Sequence, residues 1–229
     1  MFQGFTDQTL PFLWGVRLNN HRDWFQAHKQ EYIDHLYEPM KAMAAQVQEE
    51  MLRRYPKRQL NLRVARIYRD VRTIHDGRLY KDHLWFVLSR PAEKDTCIPV
   101  FYFEVMPEGY EYGMGYYQAP PALMEAYRRR VDDDPAPLER LVRRLNRRKE
   151  FRLEGAEYKR SKGEVSPLLA PWYNRKSISI SSFHDPDGML TSPEMVGAVV
   201  EAFGWLIPFY DYFDSLHQQL AGERGGLHP

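Results

Sequence analysis

The stretch IPVFYFEVMPEGYEYGMGYYQ, residues 98–118, decides the fold, because two apolar runs with a period of two flank a short turn. A period of two is typical of strands, and β-branched and aromatic residues favour the pleated sheet. Pro107, Glu108 and Gly109 separate the two runs, and so short a connection joins antiparallel neighbours. We therefore predict two antiparallel strands near the middle of the chain.

Other segments of the chain repeat this pattern. LNLRVARIYRDVR at residues 60–72 and HLWFVLSR at residues 83–90 also have a period of two, and Asp76-Gly77 lies between them as a turn signal. KSISISSFH at residues 176–184 alternates cleanly and predicts one more strand. Short connections between consecutive strands favour an antiparallel meander sheet.

Helical periodicity precedes the sheet. Residues 7–18 form a short helical pattern, and a longer amphipathic pattern spans residues 25–51, with Asn19 and Asn20 as candidate N-caps. Pro39 lacks an amide hydrogen and clashes with the preceding turn, so the long helix should kink or break just before it.

Helical periodicity also follows the sheet. We predict helices over residues 120–131 and 137–148, and a final helix pair over residues 192–220 that breaks near Pro208. Residues 221–229 have little to bury and should form a frayed tail.

Taken together, these elements predict an α+β fold in a single domain over residues 1–220, with an antiparallel meander sheet flanked by N-terminal and C-terminal helices. The chain has 43% hydrophobic and 14% aromatic residues, which is ample for a core. The formal net charge of +1 provides no global field toward nucleic acid or an anionic membrane.

Features of the sequence also bear on location. Cys97 is the only cysteine, which excludes an internal disulfide and any multi-cysteine metal site and suggests a reducing compartment. The N-terminus lacks the basic segment of a signal peptide, and no apolar run approaches the roughly 18 residues of a membrane span. We expect a soluble cytoplasmic protein with no membrane partner.

Common catalytic and metal-binding motifs are absent from the sequence. It contains no phosphate-binding glycine loop, no nucleophile elbow and no paired-histidine zinc motif. His21, His28 and His35 recur every seven residues, so two helical turns of about 10 Å separate neighbours, too far for one shared metal ion. We predict capping or solvated histidines, no metal site and no identified cofactor.

An arginine-rich stretch covers residues 138–152, and three arginines at residues 128–130 precede it. On helices these side chains form a basic surface of the kind that binds phosphate or nucleic acid. The acidic residues 132–134, Glu139 and Glu150 dilute the charge, which favours an ordinary solvated face. We expect no nucleic-acid partner, although this surface keeps that alternative open.

RIYRDVRTIHDGRLYKDH, residues 66–83, concentrates opposite charges around a glycine turn. In a strand over residues 62–71, Arg69 shares a side with Ile67, and a buried guanidinium needs a matching carboxylate or a bound anion. Glu104, set among apolar residues, is the partner we expect first.

The same turn supports two interpretations. If it brings Arg72, Arg78 and Lys81 together, it can bind a phosphate or carboxylate, because arginine provides a planar fork and lysine a point charge. The alternative is a turn whose charges pair with one another and serve no ligand.

Several blocks occur in an order that resembles a known family. They are NNHRDWFQAHKQEYIDHLYEP, RIYRDVRTIHDGRLYKDH, GYEYGMGYY followed by LMEAYRRRV, and EYKRSKGEVSPLLAPWYNRKSISI. From about Phe5 to Leu216 the chain resembles conserved hypothetical proteins catalogued as domain of unknown function 2461, a resemblance that implies no activity or cofactor. The family's central motif matches at Arg69, Asp70, Arg72, Tyr80 and Lys81. The chain departs from it at Thr73 and Leu79, where the family has phenylalanine and proline.

Three functional hypotheses follow. The first is a small anionic or phosphorylated ligand that binds, or is acted on, at Arg69, Arg72 and Lys81, with Asp70 orienting an arginine and Tyr80 supplying a hydroxyl. The second is a structural or protein-interaction module with an aromatic sheet surface, whose members are Tyr102, Tyr110, Tyr112, Tyr116 and Tyr117. The third is nucleic-acid binding through the arginine-rich helices.

Overall fold

The structure is a computed structural model that describes residues 1–70, 72, 74–92 and 96–225, with side chains through residue 217. The chain forms two compact units. Unit one contains Met1–Pro91, Tyr102–Tyr112 and Phe183–Gly204, and unit two contains Ala92–Phe101, Gly113–Ser182 and Trp205–Pro229.

The predicted α+β class with an antiparallel sheet is confirmed. The six strands are β1 Asn61–Val64, β2 Leu84–Ser89, β3 Val100–Met106, β4 Gly109–Gly115, β5 Arg152–Glu154 and β6 Ser179–His184. They are ordered β1-β2-β3-β4-β6-β5, so the first four strands form the predicted meander. Strand β5 has only three residues, too few for a period-two signal in the sequence.

Helices of unit one precede the sheet. They are α1 Thr9–Leu18, α2 Arg22–Ala27, α3 Lys29–Glu31, a π-helical segment Tyr32–Tyr37, and α4 Glu38–Arg54. A kink or break was predicted just before Pro39; the chain there changes from π to α geometry between Tyr37 and Glu38 and stays helical through both residues. The N-cap of α2 is His21, whose side chain accepts from the Trp24 amide, and not either of the predicted asparagines.

The remaining helices are α5 Pro121–Asp133, α6 Ala136–Asn146, α7 Ala170–Tyr173 and α8 Met195–Gly225. The predicted break near Pro208 is wrong, since α8 continues through it. Proline removes one helical hydrogen bond, but Phe203, Phe209 and Phe213 are all buried, and each such side chain contributes roughly 1.5–3 kcal/mol. Of the predicted tail, residues 221–225 lie in α8 and residues 226–229 fall outside the described part.

The two sides of strand β2 differ in what covers them. Leu84, Phe86 and Leu88 are fully buried, and helix α4 packs on both β1 and β2. Because side chains alternate along a strand, the partly exposed His83 and Trp85 lie on the opposite side of the sheet. None of the helices in the described ranges is both long and apolar enough to cross a membrane.

Candidate functional site

The charged turn spans residues 66–83 and is built on one isolated bridge. Strand β1 ends at Val64, earlier than predicted, and beyond the Ala65 amide, which donates to the Trp85 carbonyl at 2.8 Å, the chain pairs through the isolated Tyr68–Tyr80 bridge. Gly77 has φ +74°, which confirms the predicted left-handed turn after Asp76. The carboxylate of Asp76 accepts from the Arg78 amide at 3.1 Å and so closes the loop.

Arg69 pairs with the turn itself. Its Nη1 donates to Asp76 Oδ1 at 2.7 Å and to the Arg78 carbonyl at 3.2 Å. The predicted partnership with Glu104 is therefore wrong, because regular strand alternation stops at Val64 and cannot carry Arg69 to the apolar side.

Asp70 and Arg72 form a second internal pair. The guanidinium Nε lies 3.0 Å from Asp70 Oδ1, and the Arg72 side chain is 84% exposed. Hydrogen bonds from the Arg72 side chain and backbone hold the pKa of Asp70 down at about 2. This pair stays charged and matched at neutral pH.

Tyr80 anchors the returning strand. Its ring stacks on Phe25 with centroids 4.0 Å apart, and its residue is 5% exposed. The Asn20 side chain makes two hydrogen bonds with the Tyr80 backbone: it accepts from the Tyr80 amide and donates to the Tyr80 carbonyl, at 2.9 Å each. Burial raises the pKa of the Tyr80 hydroxyl. These contacts fix the position of the neighbouring Lys81.

Lys81 differs from both arginines because no carboxylate of the described residues lies within ion-pair distance of its ammonium. Nζ donates instead to the carbonyls of Arg66, at 2.6 Å, and Tyr68, at 3.1 Å. It also lies 5.0 Å from the centre of the Trp85 ring. Burial lowers the pKa of Lys81, and the positive charges of nearby Arg69 and Arg63 lower it further.

A histidine between two carboxylates lies next to this lysine and was missed by the sequence analysis. His83 Nδ1 lies 3.0 Å from Asp82 Oδ1, and its Nε2 lies 3.7 Å from Glu104 Oε1. The His83 ring also stacks beside Trp85 at 5.3 Å. The sequence signal was the period of two through Lys81, His83 and Trp85, which puts all three on one side of the sheet.

The two carboxylates beside His83 have opposite shifts. Burial disfavours ionised Asp82, but hydrogen bonds from Arg17 and His83 outweigh it and lower the pKa of Asp82. Burial raises the pKa of Glu104; His83 opposes this shift, and the negative charge of Glu111 reinforces it. Arg17 holds Asp82 through Nε at 2.6 Å. One carboxylate is thus stabilised as an anion and the other as an acid.

Of the three histidines predicted to be capping or solvated, His21 is a cap, while His28 and His35 make other hydrogen bonds. His21 caps α2, His28 Nδ1 donates to the Trp24 carbonyl at 2.8 Å, and His35 Nδ1 lies 3.0 Å from Thr6 Oγ1. Within the residues that the structure describes, no cluster of three or more potential ligands suits a metal ion.

Most of the predicted aromatic interaction surface is buried: of its five tyrosines, Tyr102 is half-buried and Tyr117 alone is exposed. Tyr110, Tyr112 and Tyr116 are 2%, 5% and 5% exposed, while Tyr117 is 91% exposed. Their burial is tolerated because polar ends find partners: the Tyr110 hydroxyl donates to Asp187 at 3.1 Å and that of Tyr116 to the Phe213 carbonyl at 2.9 Å.

Comparison with known proteins identifies the chain at the level of family. No functionally curated protein matches it. Residues 8–212 match the family described as conserved hypothetical protein (DUF2461), a span that includes the charged turn, Lys81 and His83. The chain belongs to this family of conserved hypothetical proteins.

Proposed function

We propose that the chain binds a small anionic ligand at Lys81, on the side of the sheet that carries His83 and Trp85. The sequence predicted a ligand site at Arg69, Asp70, Arg72, Tyr80 and Lys81. In this proposal, Lys81 is the member of that set that contacts the ligand. Lys81 contacts the anion, Tyr80 fixes the position of Lys81, and the two arginines with their carboxylates shape the turn.

The incomplete pairing of Lys81 is the observation that carries this proposal. An ammonium has three donors, and two of them go to backbone carbonyls. Neither the third donor nor the positive charge has a carboxylate partner among the described residues, and burial, followed by the positive charges of Arg69 and Arg63, lowers the pKa of Lys81. An anion bound at Nζ relieves that repulsion, so its binding is coupled to protonation of the lysine.

The ring of Trp85 forms a flat apolar surface at the site. Lys81 lies over its ring and His83 stacks beside it, so a ligand at Nζ also meets an aromatic surface. Binding sites commonly combine such a surface with a few polar groups that set orientation. The ligand is therefore expected to carry carbon skeleton beside its anionic group.

The carboxylates near His83 define a second ligand feature. The pKa of Asp82 is lowered and that of Glu104 is raised, and groups whose pKa values are shifted apart are suited to proton exchange. His83, oriented through Nδ1 by Asp82, presents Nε2 toward Glu104. We infer an anion that also bears a hydroxyl or amino group, such as a hydroxy acid or a sugar phosphate.

Substitution of Lys81 tests the proposal. Calorimetric titration of Lys81→Met with inorganic phosphate, a sugar phosphate and a hydroxy acid should show binding weakened about tenfold, the scale of one charge-assisted hydrogen bond. Lys57→Met, at an exposed lysine, is the matched control and should bind as the wild type does. Arg72→Gln should also leave affinity unchanged, since Asp70 already pairs with Arg72. Equal binding by Lys81→Met and the wild type would place any ligand elsewhere.

A cytoplasmic location belongs to the same proposal. Support comes from Cys97, the only cysteine, which is free and whose thiol donates to the Gln118 carbonyl. Labelled protein that fractionates outside the cytoplasm would contradict it.

A further inference from the structure

Helix α6 and the residues after it line an open cavity in unit two. Its wall consists of five arginines and one tryptophan: Arg140, Arg143, Arg144, Arg147, Arg148 and Trp205. The volume is about 700 Å³, within the range of small-molecule sites. The cavity lies in a different unit from Lys81 and shares no residue with the site proposed above.

Trp205 holds two of these arginines in place. The guanidinium carbons of Arg144 and Arg148 lie 4.8 Å and 4.9 Å from its ring centre. The Arg144 Nη2 also donates to the Trp205 carbonyl at 3.3 Å, and Phe151 stacks on the ring at 4.9 Å. Cation–π contacts restrict long side chains that would otherwise move freely, so part of the ordering cost of binding is already met.

Charge in the cavity is unbalanced. Arg143 pairs with Glu139 at 3.4 Å, and Arg148 donates to Glu150 at 2.6 Å. For Arg140, Arg144 and Arg147, no carboxylate of the described residues lies within ion-pair distance. Arg140 and Arg144 lie four residues apart on α6 and repel one another, and a bound anion would relieve that repulsion.

We propose that this cavity binds a compact, multiply phosphorylated anion. Three unmatched guanidiniums exceed what a single carboxylate can neutralise, and their planar forks fit phosphate oxygens. Trp205 is already covered by Phe151 and two guanidiniums, so its ring is not free to stack a nucleic-acid base. A compact polyphosphate therefore fits better than a nucleic-acid strand.

Titration with inorganic triphosphate tests this proposal. The double variant Arg140→Gln/Arg147→Gln should bind it at least about tenfold more weakly than the wild type, because two charge-assisted contacts are removed. Arg129→Gln/Arg160→Gln removes the same charge from exposed arginines of unit two outside the cavity wall and should bind as the wild type does. Increasing salt should weaken binding to the wild type more steeply than binding to the cavity variant.

Three outcomes would overturn the proposal. They are no triphosphate binding at low salt, an equal loss in the two double variants, and tighter binding of a single-stranded RNA oligonucleotide than of triphosphate through Arg140 and Arg147. The last outcome would assign the cavity to nucleic acid instead. Circular dichroism and thermal unfolding of each variant verify that the fold is retained.

Discussion

The charged turn and the arginine cavity contain similar numbers of cations, but they differ in how many of these cations are paired with carboxylates. In the turn, Arg69 pairs with Asp76 and Arg72 with Asp70, partners only seven and two residues away. In the cavity, Arg140 and Arg147 have no such partner among the described residues. Opposite charges that lie close together in the sequence pair with one another at the turn. Like charges repeated at helical spacing cannot pair, so positive charge remains available to a ligand.

The difference extends to what holds each region together. The ion pairs of the turn are exposed, and exposed pairs contribute little to stability. The turn is stabilised mainly by apolar packing, because Tyr80 stacks on the fully buried Phe25. The cavity instead uses an aromatic residue, Trp205, to hold the cations themselves.

The largest effect is expected from removing the support of the turn. Phe25→Ala should lower the free energy of unfolding by about 3–5 kcal/mol, because it deletes a buried aromatic side chain and leaves Tyr80 without its stacking partner. Urea unfolding measures this change. Phe183→Ala, at a phenylalanine that is 48% exposed, is the matched control and should cost far less. Comparable losses in the two variants would show that the stack does not support the turn.

A second prediction concerns an unmatched cation inside unit two. Arg128 is 8% exposed, its Nη1 has no hydrogen-bond partner among the described residues, and its guanidinium lies 5.6 Å from the Tyr158 ring centre. Removing an uncompensated buried charge relieves its desolvation cost, so Arg128→Met should raise the free energy of unfolding by about 2 kcal/mol.

Thermal and urea unfolding measure this gain, and Arg129→Met, at the exposed neighbouring arginine, is the control that should change little. A loss of stability in Arg128→Met would mean that the guanidinium has a counter-charge in solution, such as a bound anion.

A smaller, pH-dependent effect is expected at Glu104. Its pKa is raised by burial, so the folded state holds the proton more tightly than the unfolded state does. That stabilisation is complete below the ordinary glutamate pKa of about 4.3 and is lost as pH rises through the raised value. Glutamine cannot ionise. Glu104→Gln should therefore match the wild type near pH 4 and become the more stable protein as pH rises.

Urea unfolding at pH 4, 6 and 8 tests this pattern, with Glu125→Gln as a control at an exposed glutamate. A stability difference that stays constant with pH would show that Glu104 keeps an ordinary pKa.

The sequence predicted elements with strong local signals and failed where distant packing decided. The period of two identified the meander, Pro39 marked a helix boundary, and Gly77 marked the turn. Pro208 misled because buried aromatic residues on both sides of it keep α8 continuous. The sequence shows that proline costs the helix one hydrogen bond. The apolar burial that outweighs this cost depends on the tertiary structure and is visible only in the folded chain.

The candidate sites show the same limit. Lys81 was predicted from its place beside the turn, yet its lack of a carboxylate emerged only when the partners of Arg69 and Arg72 were known. His83 and Glu104 lie 21 residues apart in sequence, and their proximity depends on pairing between strands. Burial, which gives Glu104 its raised pKa, has no counterpart in the sequence pattern.

The smallest predicted effect contrasts the two regions directly through salt. At low ionic strength Arg140→Gln/Arg147→Gln should raise the free energy of unfolding by about 0.5 kcal/mol, because two like-charged neighbours are removed from the crowded cationic wall of the cavity. Arg72→Gln should have the opposite sign, since it deletes an attractive pair with Asp70. Both differences should vanish near 1 M salt, where the Debye length falls to about 3 Å. Equal signs for the two variants would contradict the distinction between a matched turn and an unmatched cavity, because both regions would then respond to charge in the same way.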